Sequence, residues 1–94
     1  MDIEYWRAKI DEVDTRLLEL FNERSRYALE IGKIKKQERL PVFSPERERK
    51  IFERLLAGNP GPLSDAAVRR LFERIVDENR SLEKEVIGAE EQAE

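Results

Sequence analysis

Ile3, Trp6, Ile10, Val13, Leu17, Leu20, Arg24, Tyr27, Ile31 and Ile34 recur at alternating steps of three and four. This is the seam of a long packed helix. Nine of these ten positions are apolar or aromatic, and no proline occurs before Pro41. The spacing predicts one helix from about residue 3 to about 37, roughly 50 Å long at 1.5 Å per residue. The whole chain has only 94 residues. A compact domain of that size has a radius of gyration of about 12 Å, so such a helix overhangs its own fold with its seam exposed. A second copy of the chain is expected to cover it.

Leu40-Pro41-Val42-Phe43 breaks the helix, because the residue before a proline is pushed out of helical geometry and proline offers no donor. Ser44 then suits an N-cap, Pro45 the first helical position, and Glu46 the positive end of a second helix dipole. Ile51, Phe52, Leu55 and Leu56 form the apolar face of that helix, and Gly58-Asn59-Pro60-Gly61-Pro62 ends it in a rigid turn. A third helix follows Ser64, with Val68, Phe72, Ile75, Asn79, Leu82 and Val86 on one stripe and Leu71, Val76 and Glu83 beside it. Gly88 is expected to stop it, leaving 89–94 as a disordered acidic tail. The expected class is therefore all-α, with one domain over 1–88 made of three helices.

Cysteine and histidine are both absent. Thiolate ligands, cysteine nucleophiles and histidine acid-base chemistry are excluded, and carboxylates, amines and guanidiniums must do the work. Charged residues make up 41% of the chain with a net charge of -3, so no uniform basic field invites nucleic acid. No apolar run reaches membrane-spanning length, and Met1 to Trp6 is acidic, so neither anchor nor secretion signal is read and a cytoplasmic location is expected.

Polar residues at apolar positions are the candidates for function. Arg24 is the one charge on the seam, and a guanidinium at a packed interface needs an anion, a glutamate partner or an escape to the rim. Lys35, 11 residues on, returns to within about 20° of Arg24 and about 16 Å along the same face, so both can converge on one anion. Alternatively, Lys35 joins Lys33 and Lys36 in offsetting the dipole at the helix C-terminus. Arg7 lies roughly 100° away round the helix and can serve the same site only from a partner helix. Gly32, costly inside a helix, suggests a close approach by a helix or ligand. Asn79 and Glu83 place two hydrogen-bonding groups on adjacent turns of a buried face. Arg47 and Glu48 open the second helix, where pattern alone favours a solvated intrahelical pair. Asp11 and Asp14 read as a helix-start feature.

In order and spacing, the chain resembles the all-helical, AroQ-type chorismate mutases over about residues 4 to 86. The matching stretches are Trp6-Arg7, Ile10 to Asp14, Leu17 to Arg24, Ile31 to Lys35, Pro41-Val42, Arg47-Glu48 and Gly61 to Ser64. The resemblance implies two three-helix chains intertwined as a homodimer through their long first helices. It further implies conversion of chorismate to prephenate without metal, cofactor or covalent intermediate. On that template Arg24, Lys35, Arg47 and Glu48 bind substrate in one chain and Arg7 comes from the other. Asn79 falls where the family often has serine, Glu83 where bacterial members often have glutamine, and Ser44 where some have an acidic residue.

The implied reaction is a unimolecular rearrangement that needs a held conformer and donors at the ether oxygen. The implied carboxylate clamps are Arg7 and Arg24, with Lys35 as first ether-oxygen donor and Glu83 as second. Glu48 would accept from the substrate hydroxyl, Arg47 would orient it or support the carboxylate site, and Asn79 would help the ring carboxylate. The same scaffold would also suit an isochorismate-pyruvate lyase. A non-catalytic regulatory domain, or one docking on another shikimate-pathway enzyme, is the reading from a different class.

Overall fold

The computed structural model describes residues 1–93, with side chains through Gly88. It contains three helices, α1 (Ile3–Glu38), α2 (Pro45–Ala57) and α3 (Asp65–Ala93). Local chemistry sets most of their ends. The Asp2 carboxylate accepts from the Tyr5 backbone N–H at 3.0 Å and caps α1. At the other end Arg39 turns left-handed at φ 56°, and the N–H of Leu40 reaches back to the Lys35 carbonyl at 2.8 Å. The Ser44 hydroxyl caps α2 by accepting from the Arg47 N–H, with Pro45 in the first turn. Ser64 caps α3 in the same way, accepting from the Ala67 N–H at 3.1 Å.

The connection between α2 and α3 is held from within. Asn59 Nδ2 donates to the Leu63 carbonyl and to the Asp65 carboxylate, while its Oδ1 accepts from the Gly61 N–H. Gly61 has φ +74°, a conformation that side chains rarely adopt.

One expected boundary is corrected. Helix α3 passes through Gly88 and runs to Ala93. A Cβ at Gly88 would meet nothing within 4 Å, so no packing contact turns the chain there. Glycine permits a helix to end without imposing it. The expected disorder of 89–94 falls on side chains, and in Glu94 on a whole residue, that lie outside the described residues.

The molecule is elongated, 59 × 27 × 15 Å with a radius of gyration of 16.9 Å, against about 12 Å for a compact chain of this length. The backbones of α1 and α2 each approach α3 and not each other. Contact between α1 and α3 runs through small residues, with Ala28 and Gly32 buried on α1. Ile51 and Phe52 of α2 and Val76 of α3 complete a thin core, and no large side chain among the described residues is fully buried. Every position of the α1 seam except Arg24 stays exposed, including Trp6 at 55% and Leu20 at 58%. Among the described residues nothing covers this apolar stripe. No helix among them is long and apolar enough to cross a membrane.

Candidate active site

Because α1 and α2 lean on α3 without meeting, a cleft of about 500 Å³ opens between them, with α3 as its floor. Arg24, Tyr27, Ala28, Ile31 and Lys35 line it from α1. Val42 and Ser44 precede α2, which adds Arg47, Glu48 and Ile51, and Val76, Asn79, Arg80 and Glu83 rise from α3. Seven of the eight residues singled out from the sequence therefore face one space. The exception is Arg7, whose exposed side chain pairs with Glu4 at 2.7 Å, roughly 25 Å along α1 from Arg24.

The floor is held by hydrogen bonds. Asn79 is buried, and its Oδ1 accepts from Arg24 Nη1 while its Nδ2 donates to Ser25 Oγ at 2.8 Å. Glu83, also buried, lies one turn on, and Lys35 Nζ approaches its Oε2 at 3.4 Å. The same ammonium donates to the Val42 carbonyl at 2.8 Å, which ties the loop after α1 to the cleft. Gly32 explains how Glu83 comes so near α1. A Cβ at Gly32 would stand 3.3 Å from Glu83 Cα and 3.4 Å from its Cβ. The close approach expected at this glycine is thus a helix, and Glu83 is the residue it admits.

Electrostatically the cleft asks for an anion. Burial, then the neighbouring charges of Arg47 and Arg54, lower the Arg24 guanidinium below its ordinary value, with Glu83 opposing. An arginine stays charged regardless, so the direction marks a guanidinium that is partly desolvated and has two cationic neighbours. Arg47 is one of these neighbours, and its guanidinium has no hydrogen-bond or ion-pair partner among the described residues. The solvated intrahelical pair that pattern favoured for Arg47 and Glu48 is not what forms. Glu48 reaches across to α3 and pairs with Arg80, Oε2 to Nη2, at 2.6 Å.

Arg80 is the lining residue that the sequence reading missed. The available signal was its phase: Val76, Arg80 and Glu83 stand four and three apart on the buried side of α3. Ser25 and the Val42 carbonyl were missed as well, one as the second partner of Asn79 and the other as a backbone acceptor with no sequence signature. No group of three or more carboxylates among the described residues is placed to hold a metal ion.

Similarity to known proteins agrees with this geometry. The family model for chorismate mutase type II matches residues 6–84. The chorismate mutase of Methanocaldococcus jannaschii is 31% identical over 83 residues, covering 86% of this chain and 83% of that protein. The bifunctional chorismate mutase/prephenate dehydratase of Aquifex aeolicus is 39% identical over 84 residues, yet this chain spans only 23% of its length. Among solved structures, chorismate mutase (Form II) from Thermus thermophilus superposes with a TM-score of 0.86 at 36% identity, covering 87% of this chain and 93% of that one. Chorismate mutase from Helicobacter pylori in complex with prephenate gives 0.84 at 27% identity, covering 92% and 93%. A cleft lined by arginine, lysine and glutamate, on three helices of this arrangement, thus has a family: the chain belongs to the type II chorismate mutases.

Proposed function

We propose that the cleft binds chorismate and carries its rearrangement to prephenate, and that a second copy of the chain completes each site with Arg7. The observation that supports this most is the convergence of Arg24, Lys35 and Arg47 on one cleft with Glu48, Asn79 and Glu83. Chorismate carries two carboxylates, a hydroxyl and an enolpyruvyl ether. In the rearrangement the ether C–O bond breaks as a C–C bond forms, so no proton or nucleophile is needed. The protein has to hold the folded conformer and meet the negative charge that grows on the ether oxygen.

Arg24 offers its remaining N–H donors to a carboxylate while Nη1 stays on Asn79. Lys35 donates to the ether oxygen, with the Glu83 carboxyl beside it as the second donor. Glu48 accepts from the ring hydroxyl, Arg47, unpaired among the described residues, supports a carboxylate, and Asn79 and Ser44 border the ring. The exposed α1 stripe is the surface through which the second copy would bind. The bifunctional relatives bear the name of a prephenate dehydratase as well, which favours a partner enzyme that consumes the product.

The test is to add the purified chain to chorismate, follow loss of its ultraviolet absorbance and identify the product, with isochorismate in parallel. Prephenate from chorismate is the expected result. Pyruvate release from isochorismate alone would move the assignment to a lyase, and inertness toward both would favour a regulatory or docking domain.

A further inference from the structure

Arg80 has no role in the chemistry above, yet it lines the cleft and joins three segments there. Its Nη2 lies 2.6 Å from Glu48 Oε2 on α2 and 3.4 Å from Asp77 Oδ1 on its own helix. Its guanidinium stacks over the Phe43 ring, 4.7 Å from the centroid, in the loop before α2. A surface ion pair is worth little, because water screens it and two long side chains must be held still. This pair differs on both counts. The side chains of Arg80 and Glu48 are 25% and 24% exposed, and the ring fixes one face of the guanidinium. Arg80 Nε is buried with no hydrogen-bond partner among the described residues, a cost accepted in this placement.

The consequence falls on Glu48. Arg80 occupies Oε2, and Oε1 makes no hydrogen bond among the described residues. A glutamate in the first turn of a helix, left to itself, samples several rotamers. Here one N–H of an arginine on the next helix, held flat against Phe43, selects one of them. We propose that Arg80 is a positioning residue for the reaction: it holds Glu48 so that Oε1 meets the ring hydroxyl of the bound substrate. This rests on the chorismate mutase reading of the cleft. Arg80 acts through Glu48 and touches no reacting atom.

A role confined to the hydroxyl has a signature that simple destabilisation lacks. Arg80→Met and Glu48→Gln should be compared with the unaltered chain on chorismate and on an analogue lacking the ring hydroxyl. Folding and oligomeric state should be matched by circular dichroism and sedimentation. Arg80→Met is expected to lose about 10- to 100-fold in kcat/KM on chorismate and less than about twofold on the analogue. Glu48→Gln should show the same selectivity, and the double variant should be no worse than Glu48→Gln alone, because the two residues act as one unit. Equal losses on both substrates, or additive losses in the double variant, would overturn the inference. Should Arg80→Met fail to fold, Arg80→Lys keeps the charge but loses the planar guanidinium that stacks on Phe43 while donating to Glu48. It should lose selectively on chorismate, and unchanged discrimination between the substrates would count against the role. An unaltered chain inert toward chorismate would remove the functional reading and this inference together. An active one with unselective variants would remove the inference alone.

Discussion

Replacing Gly32 by alanine would introduce one methyl group where α1 comes nearest to α3, and the outcome can be worked from the contact itself. The new Cβ would stand 3.3 Å from Glu83 Cα and 3.4 Å from both its Cβ and Cγ, inside the ~3.5–4.0 Å at which carbon atoms attract. Two of those atoms stand at or next to the backbone of α3, so no flexible side-chain tip can swing aside. The helices must part by a few tenths of an ångström. Two terms compete in the stability. Alanine gains about 1 kcal/mol over glycine in a helix interior, whereas overpacking costs about 1–3 kcal/mol. The net is a loss of about 0–2 kcal/mol, which lowers Tm by at most about 8–16 °C for a domain of this size. Activity should suffer more than stability, because the atoms displaced carry Glu83 away from Lys35. If 1 Å of misplacement can cost about 100-fold, a few tenths correspond to about three- to tenfold in kcat/KM. Turnover of chorismate and thermal unfolding at one fixed protein concentration measure both. A variant with a raised Tm and unchanged kcat/KM would refute the reasoning, since helix propensity alone would then account for the site.

Glu83→Gln should raise kcat/KM, because an amide NH2 is a standing donor to the ether oxygen. Unchanged kcat/KM in the variant would leave Lys35 as the ether-oxygen donor alone. Mixing Arg7→Ala with Arg24→Ala chains should restore part of the activity, since one site of a mixed dimer keeps both arginines. No recovery after subunit exchange, or a folded and active monomer in sedimentation, would argue against a shared site.

The helix boundaries were legible because they are set within a few residues of chain: Ser44 caps α2, Ser64 caps α3, and Pro41 lies just past the end of α1. The convergence of Arg24 and Lys35 was legible for a related reason, since positions on one rigid helix are fixed by its pitch. What could not be read was any pairing that depends on how helices sit against each other. Glu48 finds Arg80 across 32 residues of sequence, so the local expectation of a pair with Arg47 failed. The link from Lys35 to the Val42 carbonyl involves a backbone acceptor, which every residue has and no pattern marks. Gly88 misled for the opposite reason, since its local signal was real but nothing in the packing acted on it.

The two hydrogen bonds of Lys35 also bear on how the protein could work without moving. An ammonium has three N–H donors. One points to the Val42 carbonyl and one to Glu83, which leaves a single valence of the nitrogen for a substrate oxygen. Tetrahedral geometry then fixes the direction of that third bond relative to the other two, so the loop carbonyl and the carboxylate together aim it. Substrate would enter a coordination shell already two-thirds complete, and neither existing bond has to break for it to bind. On that account turnover needs no rearrangement of the loop after α1, and the site's dipoles stand ready before the ether oxygen gathers charge.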